Sequence, residues 1–189
     1  MALNIKINFD SAYDFADISP GYNLSSFETV LEDGKNVNLK VKISNNPHAL
    51  IPNVFNLAFG PLNKQGKLDD KAELSHRDYS KVFSTILFSA YAWLKKKPDD
   101  YIGIDGSDNI RAYLYYRAIK NNFVYLDKHF IMYGVKYYVR ISRFGKTQYA
   151  NPFDFEDIVP YPYRIDKDHT ISQDAMFNYF IFKLREIKK

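Results

Sequence analysis

Residues 3–9, LNIKINF, alternate apolar and polar positions. Leu3, Ile5, Ile7 and Phe9 share one face, which predicts a strand. Residues 26–44 read as a hairpin turned by Asp33-Gly34, a dipeptide whose backbone suits a tight β-turn. Its second arm sets Val37, Leu39, Val41 and Ile43 against Asn38, Lys40 and Lys42, so the sheet has one wet face. Residues 53–59 give a further strand with Phe55, Leu57 and Phe59 inward. A polar loop punctuated by Pro61 and Gly66 follows.

The period then changes. From Asp78 to Lys97 apolar residues recur at Tyr79, Val82, Phe83, Ile86, Ala90 and Leu94, which is helical spacing. Lys95-Lys96-Lys97 and Pro98 mark its end, since cations suit a helix C-terminus and proline cannot continue it. Residues 100–105 predict a short strand. Gly106 turns the chain, and Ser107 or Asp108 can cap a helix from about Asn109, with Ile110, Leu114 and Ala118 buried. A short helical piece is expected within 122–131, a strand at 135–142, and another near 147–150 beyond Gly145-Lys146. Residues 151–166 carry three prolines and read as irregular. A C-terminal helix capped by Ser172 is expected, with Met176, Phe177, Phe180, Ile181, Leu184 and Ile187 on one face. These elements predict one α+β domain over residues 1–189, an antiparallel sheet packed against about three helices.

Composition adds two facts. Aromatic residues make up 17%, with 16 Tyr and 15 Phe, so the core is built from rings whose Tyr hydroxyls must reach water or a partner. There is no cysteine, which removes disulfides, thiolate metal sites and cysteine nucleophiles. No stretch has the length of a membrane span and no signal-peptide pattern opens the chain, so a cytoplasmic location without membrane contact is expected.

The net charge of +4 is unevenly placed. Residues 1–75 carry seven Lys/Arg against nine Asp/Glu, whereas residues 111–149 carry eight against Asp127 alone, among eight tyrosines. Such an excess attracts polyanions. Gly106, Ser107 and Arg111 form a strand–turn–helix start whose backbone N–H groups can hold a phosphate. The same pattern also describes a plain capped helix with snorkelling arginines. Tyr115 and Arg117 continue that helix. Lys136, Tyr138 and Arg140 alternate onto one face of the next strand, where a ring can stack a base and cations can meet phosphates; a solvated sheet face has the same pattern. His76 with Arg77, His129 and Asp168-His169 are candidates for acid–base cleavage of RNA. Asp69, Asp70 and Glu73 can hold a hard cation or only make the loop polar. No histidine pair has metal spacing, and the hydrolase, nucleotide and dinucleotide motifs are absent, so no metal or cofactor is expected.

Three stretches, FNLAFGPLNKQGKLDD (55–70), SHRDYSKVFSTI (75–86) and GSDNIRAYLYYRAIKNN (106–122), together resemble a family of small uncharacterised bacterial proteins, a domain of unknown function. The matching positions are Phe55, Asn56, Leu57, Phe59 and Gly60, then Asp78, Lys81 and Val82, then Gly106, Ser107, Arg111, Leu114 and Tyr115. Pro61 stands where that family has an acid, and Asp108 where it has threonine. The resemblance implies a bacterial or phage setting and a shared α+β fold, and adds weight to Gly106, Ser107 and Arg111.

Three functions follow as expectations. One is a nucleic-acid-associated factor, toxin-like or host-interfering, binding RNA or another single strand through the basic, Tyr-rich surface. Another is a protein–protein interaction module, an inhibitor or defence-related adaptor, since Tyr and Arg also favour protein interfaces. The third is an enzyme acting on a small phosphorylated ligand at Gly106–Arg111.

Overall fold

The computed structural model describes residues 4–106, 108–141, 153–168, 170–172 and 175–186. Eight strands form one sheet: β1 (Asp17–Ile18), β2 (Leu24–Val30), β3 (Asn36–Pro47), β4 (Val54–Gly60), β5 (Tyr101–Asp105), β6 (Phe130–Ile141), β7 (Phe153–Arg164) and β8 (Tyr179–Leu184). Their order across the sheet is β1-β2-β3-β4-β5-β8-β6-β7. Every pairing is antiparallel except β4 with β5. Parallel neighbours need a crossover, and the helix α1 (Tyr79–Lys96) supplies it. The helices α2 (Asn109–Asn121) and α3 (Phe123–Leu126) connect β5 to β6. The architecture is α+β.

The α1 boundaries follow from its ends. Asp78 Oδ1 accepts the Lys81 N–H at 2.9 Å, and Lys95 and Lys96 occupy the last turn. One core cluster joins Phe27, Leu39, Val41, Ile43, Leu57, Ile102, Phe180 and Phe182 of the sheet to Val82, Ile86, Ala90, Trp93 and Leu94 of α1 and Ala112, Tyr116 and Ile119 of α2. Buried hydroxyls on α1 are paired. Ser89 meets Ser25 at 2.9 Å, and Thr85 Oγ1 accepts the Tyr13 N–H while donating to the Lys81 carbonyl, both at 2.8 Å. A smaller cluster, Val54, Val135, Tyr179 and Ile181, lies apart from it.

Several expectations change. Ile5 and Ile7 are buried as their alternation requires, but this segment joins no strand. Its backbone N–H groups bond side chains of the helices instead: Lys6 to Ser80, Ile7 to Asn122, Asn8 to Ser84 and Phe9 to Tyr125, at 2.8–2.9 Å. A buried N–H needs an acceptor, and any oxygen suffices. The predicted C-terminal helix is instead β8. Tyr179, Phe180, Ile181 and Phe182 are all buried in a central strand, and a continuous apolar run satisfies the helical and the two-faced strand pattern equally. Pro160 and Pro162 do not prevent β7, because it is an edge strand, where a missing N–H need not break a ladder. The helical piece within 122–131 is a single turn, with β6 starting at Phe130. On α2 the buried residues are Ala112, Tyr116, Ala118 and Ile119, while Ile110 is 78% exposed. The strand expected near 147–150 lies outside the described residues. Among those residues, no helix is long and apolar enough to cross a membrane.

Candidate functional site

β5 runs into Gly106 and then Asp108, whose Oδ1 accepts the Arg111 N–H at 2.8 Å and caps α2. Gly106 is needed for a close approach: a Cβ there would stand 2.8 Å from Ala112 Cα. The Arg111 guanidinium turns away from its own helix. Nη1 donates to the Asp70 carbonyl at 2.9 Å and Nη2 to the Lys71 carbonyl at 3.0 Å, while Nε lies 3.6 Å from Asp108 Oδ2. Gly60 explains the other side. A Cβ there would lie 2.1 Å from the Asp69 carbonyl oxygen, so only glycine lets the loop after β4 fold back over its end.

A cleft of about 530 Å³ lies between that loop, α1 and the start of α2. This volume suits a small-molecule site. Phe59, Val82, Phe83 and Leu114 give it apolar walls, and Asp70, Glu73, His76, Asp108, Arg111 and Tyr115 add polar groups. A smaller recess of about 70 Å³ shares Phe59, Asp70, Arg111 and Tyr115 with it and adds Asn56 and Asp105. Residues spread from Asn56 to Tyr115 thus converge on one place.

The charge there is mainly negative. Burial, opposed by Arg111 and reinforced by Asp105, Asp108 and Asp70, pushes the Tyr115 hydroxyl up to about 12. Partial burial, then the Asp70 charge, raises the Asp105 carboxyl, with His48 pulling the other way. Burial lowers His76, favouring the neutral ring. His76 is 8% exposed, and its Nδ1 is enclosed without a hydrogen bond.

The second candidate region is the β6–β7 ribbon. Tyr138 and Tyr163 hydroxyls meet at 2.8 Å, the Tyr161 ring lies tilted with its centroid 4.7 Å from that of Tyr163, and Lys136 stands 5.8 Å over the Tyr163 ring. Large apolar side chains are open to solvent along it: Tyr138, Ile141, Phe153, Phe155, Val159 and Tyr161 are each 50–62% exposed. The described residues of the two strands carry three cations, Lys136, Arg140 and Arg164, and three acids, Asp154, Glu156 and Asp157. Arg140 pairs with Asp157 at 3.4 Å.

The predicted site residues therefore divide. Arg111 and Tyr115 line the cleft, with the Tyr115 ring against Phe83 and Phe180, while Gly106 stands outside its lining, against Ala112 of α2. Arg117 stacks on Tyr113 at 5.7 Å on α2. Lys136, Tyr138 and Arg140 belong to the ribbon. Arg111, Arg117 and Arg140 share none of the partners just named. Ser107, Arg143, Lys146 and His169 lie outside the described residues. His129 sits among Phe9, Tyr91, Tyr125 and Phe130 rings, and Asp69 Oδ1 accepts the Lys71 N–H at 3.2 Å.

The sequence alone missed a polar group outside the main core. Tyr179 donates to Asn56 Oδ1 at 3.1 Å, the Tyr137 hydroxyl lies 3.4 Å from His48 Nε2, and His48 Nδ1 accepts the Leu50 N–H at 3.1 Å. Tyr179 lies in the segment read as helix, so its pairing with Asn56 had no signal. A model of a family of unknown function, DUF6934, matches residues 11–156. Among the curated proteins and the solved structures none matches.

Proposed function

The chain belongs to the DUF6934 family of unknown function, and we propose that it is a protein-interaction module that docks a protein partner on the β6–β7 ribbon. The observation that carries this is the concentration of six half-exposed large apolar side chains on one ribbon whose described charges cancel. Exposed apolar clusters of this kind mark interaction surfaces. Tyr and Phe provide contact area at low entropic cost, and Arg140 and Lys136 border them as rim charges. A nucleic-acid surface would need uncompensated cations, because phosphate neutralisation supplies most of its affinity. Here β7 sets Asp154 and Asp157 beside Arg140, and Lys136 lies over the Tyr163 ring.

Photo-crosslinking tests the proposal. A crosslinkable residue is placed at Phe155 or Tyr161 and, as control, at the exposed Val124, in lysate of the source organism. The expected product is one protein, crosslinked at the ribbon and not at Val124. That protein, once purified, should bind the wild type with little salt dependence and bind Phe155→Ser/Tyr161→Ser at least tenfold more weakly. Equal crosslinking at all three positions, or binding unaffected by the double variant, would refute it.

A further inference from the structure

The cleft beside Arg111 points to a ligand of a different kind from the ribbon's partner. Its polar groups are mostly acids. Asp70, Glu73 and Asp108 line it, and Asp105 lines the adjoining recess. Arg111 is the cation among them, and its guanidinium holds the Asp70 and Lys71 carbonyls and Asp108. The His76 ring lines the cleft and is 8% exposed, and its Nδ1 has no hydrogen-bond partner among the described residues; a neutral ring can offer that nitrogen as an acceptor. The walls between these groups are apolar and aromatic: Phe59, Tyr79, Phe83 and Leu114.

A phosphate would meet more negative than positive charge there. A metal ion fits no better, since among the described residues no three His, Asp or Glu groups converge closely enough to hold one. The carboxylates are instead spread around an apolar floor. We propose that the cleft binds an organic cation, an ammonium or guanidinium group on an apolar stem, with Asp70 and Glu73 facing the charge, the rings covering the stem and His76 accepting an N–H. Rings stabilise cations through their electron-rich faces, and a desolvated pocket strengthens the attraction. The cation can come as a free alkyl polyamine or as a basic side chain of a peptide.

Nuclear magnetic resonance titration of the full chain at low salt tests this. The probes are spermidine, a capped peptide carrying two lysines, and adenosine monophosphate. Spermidine or the peptide should give saturable shifts at cleft residues, and the stronger of the two identifies the source. Asp70→Asn/Glu73→Gln should weaken that binding at least tenfold, and Asp14→Asn/Asp17→Asn, the same loss of two charges on exposed residues outside the cleft, should change it less than threefold. Amide spectra of both variants check that they are folded. Absence of saturable shifts with either cation, or tighter binding of the monophosphate, would overturn the proposal, as would cation binding indifferent to the loss of Asp70 and Glu73 charge.

Discussion

Replacing Arg111 by Met should loosen the loop after β4, because it removes the guanidinium and keeps the stem. Two donated hydrogen bonds to the Asp70 and Lys71 carbonyls are lost, together with the 3.6 Å contact to Asp108. A hydrogen bond to a charged group contributes roughly 1.5–3 kcal/mol when well shielded. The Arg111 side chain is 26% exposed and that of Asp108 52%, so the ion pair adds little. The freed carbonyls can also recover water. A net loss of about 1.5–3 kcal/mol follows, less than two full bonds would give. Arg111→Lys should recover under half of it, since an ammonium lacks the planar fork that spans two adjacent carbonyls. Urea denaturation gives the free energy, and limited proteolysis reports the loop, with faster cleavage between Pro61 and Asp78. Stability within about 0.5 kcal/mol of wild type and unchanged cleavage would refute the clamp. Arg111 would then be available to a ligand instead of committed to the fold.

Further outcomes follow from the same geometry. Asn122→Ala should cost about 2–4 kcal/mol in denaturant unfolding, because its side chain accepts from the Ile7 N–H and donates to the Ile5 and Ala118 carbonyls, each at 2.8 Å. Gly134→Ala should lower the melting temperature, since the new Cβ would come 2.2 Å from the Phe177 ring and overpacking costs roughly 1–3 kcal/mol. Burial holds His76 below its ordinary value of 6.5, so the unfolded chain takes up a proton at a pH where the folded chain does not. Stability should therefore fall as pH drops below about 6.5, and His76→Gln should flatten that acid limb in melts across pH 5 to 7 (a range of about two units around the free imidazole value).

The sequence was most legible where one period and one boundary signal agreed. Asp33-Gly34 turns the first hairpin, Asp78 caps α1, and Pro98 follows its end. It was least legible where a segment is buried on both faces. The run from Tyr179 to Leu184 offers helical spacing and a buried strand at once, and only its place between β5 and β6 decides. The side-chain acceptors Ser80, Ser84, Asn122 and Tyr125 leave no pattern that would show that residues 4–9 pair with helices and not with a strand.

The candidate sites were half legible for a similar reason. Gly106, Arg111 and Tyr115 were singled out from their spacing, and of these Arg111 and Tyr115 line one cleft. Of the carboxylates that set its sign, Asp105 and Asp108 adjoin that motif, while Asp70 and Glu73 come from another part of the chain and their convergence needed the fold. The charge excess of 111–149 shrinks but does not vanish when the count is carried to residue 166, where nine Lys/Arg stand against five Asp/Glu. Asp154, Glu156 and Asp157 come just after residue 149, and strand pairing brings Asp154 and Asp157 back beside Arg140.

Fluorescence anisotropy with labelled single-stranded RNA and duplex DNA, at low and at physiological salt, tests the central claim most directly. If the ribbon is a neutral, apolar docking surface for a protein, both nucleic acids should bind no more tightly than the ~10⁻⁴–10⁻⁶ M of non-specific contacts, with Lys136→Ala/Arg140→Ala changing little. Tight binding that weakens steeply with salt and is lost in that double variant would contradict the account and return the ribbon to nucleic acid.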